Sequence, residues 1–155
     1  MIIAIGVDLI EVERIRRAVD HPQWGARFRH RVFTAGEIAY CEKRARYAES
    51  FAARFAAKEA AMKALGSGYG DGVGWRDIEV VRTSGRPTLV LSGGASLRAA
   101  ALGAVRWLVS LTHTSLHALA QVVAEATQDL GRATATADRR ASATRAEAPR
   151  PKGRR

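Results

Sequence analysis

The sequence predicts an α+β domain in which an antiparallel sheet packs on one long helix. Three observations carry that expectation. The chain opens on IIAIGVDLI, an almost unbroken Ile/Val run of the kind that forms a strand covered on both faces. Residues 50–65 keep apolar positions at helical spacing, as a packed helix requires. Residues 106–112 and 117–125 read as two strands joined near THTSL.

The elements follow in order. In the first strand, side chains two apart share a face, so Ala4, Gly6 and Asp8 point together. EVERIRRAV then switches to helical spacing, with Val12, Ile15 and Val19 on one side and Arg14 and Arg17 on another. HPQW breaks the pattern, and residues 27–40 hold one or two short helices. The long helix runs from Ser50 to Leu65, with Gly66 as its stop. GSGYGDGVGW is a glycine-rich loop. DIEVVRT and TLVLS are strands joined by the turn signal SGRP, and residues 95–104 read as a helix. From residue 127 the chain is Ala, Thr, Arg and Pro with almost no large apolar side chain, too little to offset the entropy of ordering. The expected division is a domain over 1–126 and a basic, disordered tail over 127–155. No internal repeat is present.

Charge and cysteine content narrow the function classes. Residues 132–155 hold eight of the 25 Lys/Arg and two of the 15 Asp/Glu, so +6 of the net +10 lies in the tail and the body is only mildly basic. Cys41 is the only cysteine, which excludes an intramolecular disulfide and a cysteine-based zinc site. MIIAIGVDLI has no basic leader, is too short for a membrane span and contains Asp8. A soluble cytoplasmic protein is expected. A pI near 10.9 raises a rival reading, a nucleic-acid-binding protein that works through its tail. Aromatics make up only 6% of the chain and are not interleaved with the basic residues, so nucleic acid is not the expected partner. The arginines of the body suit an acidic protein partner instead.

RFAAKEAAMKALG, residues 54–66, raises the sharpest question. On a helical wheel Phe51, Phe55, Met62 and Leu65 form a stripe roughly 80° wide at about 100° per residue. Lys58 falls inside that stripe and Glu59 at its edge. One reading is a solvated Glu59–Lys63 pair, four apart, with Lys58 reaching outward along the surface. The other is a carboxylate facing a cleft lined with cations. That pattern suits a divalent metal meeting phosphates, because magnesium is held by one or two carboxylates with phosphate and water completing its shell. A second carboxylate is then needed. Asp8 is the candidate, since a charge in an apolar strand is costly unless paired or bound to metal. Its alternative role is to end the strand and cap the next helix.

With these residues in place, the sequence resembles the holo-acyl-carrier-protein synthases, phosphopantetheinyl transferases of the short bacterial type. Three segments carry the resemblance: IGVDLIEVERI (5–15), FAARFAAKEAAMKALGSG (51–68) and VSLTHTSLHALAQVV (109–123). Their order and spacing fit too, over about residues 1–126. The resemblance implies the 4'-phosphopantetheinyl transferase fold, a homotrimer, and transfer of phosphopantetheine from coenzyme A to a serine of an acyl carrier protein. The remaining product is adenosine 3',5'-bisphosphate. It also implies roles. Asp8 and Glu59 look like the magnesium ligands, and Lys63 stabilises charge on the attacked phosphate. Glu59, directly or through water held by the metal, takes the serine proton. Arg54 and Lys58 match basic positions lining the coenzyme A phosphates, Gly66 borders the cofactor, and His113 matches a histidine beside the nucleotide. Arg14, Arg17, Arg27, Phe28 and Arg31 fall where the family docks the carrier's acidic helix. His117 departs from the family pattern and is read as structural. The glycine-rich loop is not a phosphate loop: it follows a helix, at the negative end of the dipole, and lacks GKS or GKT. It is expected to be mobile and to border the pantetheine arm.

Overall fold

The computed structural model describes residues 1–68, 70–82 and 85–127. One compact unit spans Ile2–Ala126. Apart from Thr127, the predicted tail and the nucleic-acid reading that depends on it lie outside the described residues.

The elements in chain order are β1 (Ile2–Glu11), α1 (Val12–Val19), α2 (Gly25–Val32), α3 (Ala35–Glu42), α4 (Tyr47–Leu65), a 3-10 turn (Trp75–Asp77), β2 (Ile78–Val81), β3 (Thr88–Leu91), α5 (Gly93–Ala101), β4 (Arg106–His113) and β5 (His117–Glu125). β1, β5 and β4 form an antiparallel sheet with β5 in the middle, and β2 and β3 form a separate antiparallel hairpin. The expected fold class holds. The long helix begins at Tyr47, a turn earlier than the sequence predicts.

α4 lies across the sheet and is buried on nearly every side, which explains why alanine fills most of it. Small residues on β1 set the approach. A Cβ on Gly6 would stand 1.9 Å from the Ala60 carbonyl oxygen and 2.8 Å from Ala64 N. Only glycine allows helix and strand to meet this closely. Gly66 ends the helix in the left-handed region at φ 65°, where glycine has no Cβ penalty. Around the helix, Phe33, Phe51, Met62, Leu65 and Ile78 complete the core.

One expectation changes. The first strand is covered on one face only: Ile5, Val7 and Leu9 are about half exposed on the other. A three-stranded sheet with its helix on one side leaves the outer face of every strand open, so a continuous apolar run does not imply two-sided cover within one chain. The far end of the glycine-rich loop is anchored at Gly74. Asp77 Oδ2 accepts from Gly74 N at 2.9 Å and from Gly94 N at 3.1 Å. Among the described residues no helix is long and apolar enough to cross a membrane.

Candidate active site

β1 carries Asp8 on the face that meets α4, two residues beyond Gly6. The close approach at Gly6 therefore brings Asp8 beside the exposed end of the helix. Lys63 Nζ lies 2.8 Å from Asp8 Oδ1 and donates to the Val7 carbonyl at 3.0 Å. Glu59, one turn earlier on α4, is half-buried. Burial holds its carboxyl above the usual carboxylate range, the nearby negative charge of Asp8 adds to this, and Lys63 and Arg14 oppose it. Asp8, Glu59, Lys63 and Arg14 thus converge from β1, α4 and α1.

This donor set fits magnesium. Two carboxylates close enough for the charge of Asp8 to raise the proton affinity of Glu59 are a hard, anionic oxygen pair. Among the described residues, no third histidine, cysteine or carboxylate completes a metal cluster with them. A two-carboxylate site leaves most of an octahedral shell to phosphate and water, as magnesium prefers.

A second group of residues surrounds a cavity of about 220 Å³ lined by Tyr40, Arg54, Val80, Arg82, Pro87 and His113. Arg54 is buried, and its guanidinium lies over the Tyr40 ring at 3.9 Å. Its Nε has no hydrogen-bond partner among the described residues. A buried arginine with an unsatisfied donor beside a second arginine is an arrangement that could hold an anion. The sequence reading places Arg54 and His113 here and misses Arg82.

Lys58 is a correction. Its side chain has no solvent exposure and lies 2.8 Å from Glu37 Oε2. Its Nζ also donates to the Trp75 carbonyl at 3.0 Å and to the Ile78 carbonyl. Glu37 in turn accepts from Thr34 N at 2.9 Å and Val80 N at 3.0 Å. With its donors spent inside the protein, Lys58 neither lines a phosphate site nor reaches outward to solvent. It ties α4 to α3 and the β2–β3 hairpin.

Of the remaining predicted residues, Arg14 borders the first group and the others lie apart from both. Gly66 closes α4, and its carbonyl accepts from Arg98 Nη2 at 2.6 Å. Arg14 and Arg17 on α1 and Arg27 and Arg31 on α2 are exposed, with Phe28 half-buried. Arg17 Nε bonds Glu13 at 2.9 Å. Arg14, Arg17, His21 and Trp24 share one groove. Glu49, just ahead of the predicted helix start, is a further residue that the sequence reading misses. It lies 2.9 Å from His113 Nδ1.

Comparison with known proteins adds to this geometry. The family model described as the 4'-phosphopantetheinyl transferase superfamily matches residues 4–120. A holo-[acyl-carrier-protein] synthase of Solibacter usitatus is 48% identical over 126 residues, covering 81% of this chain and 99% of the relative. One from Methylobacterium radiotolerans is 53% identical over 131 residues, covering 81% and 95%. Among solved structures, the Neisseria meningitidis holo-[acyl-carrier-protein] synthase superposes with a TM-score of 0.72 at 32% identity, over 81% of this chain and 99% of that one. The Helicobacter pylori synthase in complex with coenzyme A gives 0.68 at 28% identity, over 78% and 99%.

Proposed function

Because the chain belongs to the 4'-phosphopantetheinyl transferase superfamily, we propose that it is a holo-[acyl-carrier-protein] synthase, moving 4'-phosphopantetheine from coenzyme A to a serine of apo-acyl carrier protein. The serine oxygen forms a bond to the phosphorus that bears pantetheine. The bond from that phosphorus to the bridging pyrophosphate oxygen breaks, and adenosine 3',5'-bisphosphate leaves. The observation that carries this reading is the convergence of Asp8, Glu59 and Lys63 at the β1–α4 contact. Phosphoryl transfer asks for positioning and charge neutralisation more than covalent help.

Asp8 and Glu59 would hold magnesium, which when bound neutralises pyrophosphate oxygens. Lys63 supplies a second positive charge, half exposed and within reach of a phosphate. Glu59 accepts the serine proton, directly or through a water molecule held at the site. Arg54, with its unsatisfied Nε, and His113 bind the nucleotide end of coenzyme A, Arg82 beside them, and Gly66 lies where the cofactor passes the end of α4. Arg14, Arg17, Arg27, Phe28 and Arg31 dock the carrier's acidic surface. The half-exposed apolar face of Ile5, Val7 and Leu9 favours a homotrimer in which another copy covers it. An enzyme acting on coenzyme A and an acyl carrier protein would work in the cytoplasm.

The test is to mix the protein with apo-acyl carrier protein, coenzyme A and magnesium and weigh the carrier by mass spectrometry. A gain of one phosphopantetheine is expected, and folded Asp8→Ala and Glu59→Ala variants should give none. A folded wild-type protein that loads no apo-carrier rules the reading out.

A further inference from the structure

Glu49 and His113 come from distant parts of the sequence, the first turn of α4 and the last residue of β4. The Glu49 side chain is only 10% exposed, the imidazole 41%, and His113 Nδ1 stands 2.9 Å from Glu49 Oε2. That buried oxygen has no hydrogen-bond partner among the described residues: the His113 nitrogen is within reach, but its N–H is not aligned on it. A buried carboxylate oxygen left unsatisfied is costly. Aligning the His113 Nδ1–H on it supplies the missing bond. Among the described residues, the other cation paired with it is Arg46, at 3.7 Å and largely in solvent.

We propose that Glu49 is a positioning residue: it holds the proton of His113 on Nδ1 and turns Nε2 toward the cavity of Arg54 and Arg82. The inference rests on the reading of His113 as a nucleotide-binding residue. A neutral histidine free in water favours the proton on Nε2, so the choice of ring nitrogen is imposed by its partner. When an anion occupies the cavity, the ring carries both protons. One then goes to Glu49 and the other to the anion, so the imidazole joins two arginines as a third, directional donor. The charged and titratable groups around it are Arg46, Glu49 and Arg54 from α4 and its lead-in, Tyr40 from α3 and Arg82 after β2. Glu49 touches no substrate in this arrangement and acts through His113 alone.

The direct measurement is the nitrogen-15 spectrum of histidine-labelled full-length protein at mildly alkaline pH, with His113 assigned by its loss in His113→Asn. Wild type should carry the His113 proton on Nδ1, Glu49→Gln should keep it there through the amide oxygen, and Glu49→Ala should move it to Nε2. In the transfer assay, Glu49→Ala should raise the KM for coenzyme A about ten-fold and change kcat less than about two-fold, with Glu49→Gln between it and wild type. A wild-type His113 protonated on Nε2 overturns the proposal, and needs no variant to fold. An unchanged tautomer in folded Glu49→Ala overturns it equally. If wild type transfers nothing while the tautomers behave as stated, the functional reading falls and Glu49's hold on the ring stands.

Discussion

Lys58 Nζ and Glu37 Oε2 lie 2.8 Å apart with neither side chain exposed to solvent. Burial pushes the Lys58 ammonium below its ordinary value, and Glu37 pulls it back up. Breaking such a pair from one side leaves a buried charge without compensation, at a cost of about 3–5 kcal/mol. Lys58→Met and Glu37→Gln are each expected to lose stability on that scale in urea unfolding. The double variant should lose less than the sum of the two. Simple additivity in that cycle would mean the two residues are not coupled.

The approach of β1 to α4 predicts a second loss. Gly6→Ala puts a methyl 1.9 Å from the Ala60 carbonyl oxygen, and backbone on both sides leaves nothing flexible to yield. Overpacking of this kind costs about 1–3 kcal/mol or more. Because the same contact places Asp8 beside Glu59, transfer activity should fall further than the fraction of folded protein does. If activity and folded fraction decline in parallel, Gly6 serves stability alone.

Glu59 gives a pH dependence. Its carboxyl is held above the usual range first by burial and then by the charge of Asp8. For a carboxyl raised in the folded state, the stabilising contribution is fully present below the unfolded value. It is lost as pH rises through the folded value. Above that value the carboxylate is exposed to its like-charged neighbour, and magnesium binding should relieve the repulsion. Carbon-13 carboxyl titration should therefore show Glu59 titrating late, and Asp8→Asn should bring it part of the way down. Added magnesium should depress it further in the wild type. A midpoint that rises in Asp8→Asn would exclude the proximity of the two carboxylates.

Docking by charge predicts a separable defect. Reversing Arg14 and Arg27 to glutamate should lower kcat/KM for the apo-carrier about ten-fold to a hundred-fold at low salt, with the gap to wild type narrowing as salt is added. The KM for coenzyme A should stay within about two-fold. Arg17 is a weaker probe, since Glu13 already engages it. A rise in the coenzyme A KM alone would move these arginines from the carrier to the cofactor.

Much of this was readable in the chain. Asp8, Gly6 and Ala4 alternate on one strand face, and Glu59 and Lys63 follow at helical spacing, so periodicity gives the face each carboxylate occupies, and the family resemblance is what pairs them. Lys58 was not readable. Its wheel position inside the apolar stripe was correct, but the partner that makes a buried lysine tolerable, Glu37, lies on another helix and obeys no local spacing. Glu49 was missed for a similar reason, since His113 is distant in sequence and the helix was expected to begin after it. The exposed face of β1 escaped notice because apolar content reports that a surface is to be covered and does not say by which chain.

β1 ends at Glu11 and α1 begins at Val12, with no loop between them. Leu116 pins the junction by accepting from Val12 N at 2.8 Å. The strand that carries Asp8 and the helix that carries Arg14 therefore form one stiff piece, like the two ends of a ruler. Under the proposed function, a carrier docked at the helix would have its serine delivered at a set length from Asp8 and Glu59, with little freedom to search. That length would then be part of the specificity: a partner with the right charges but its serine a turn out of place would dock and remain unmodified.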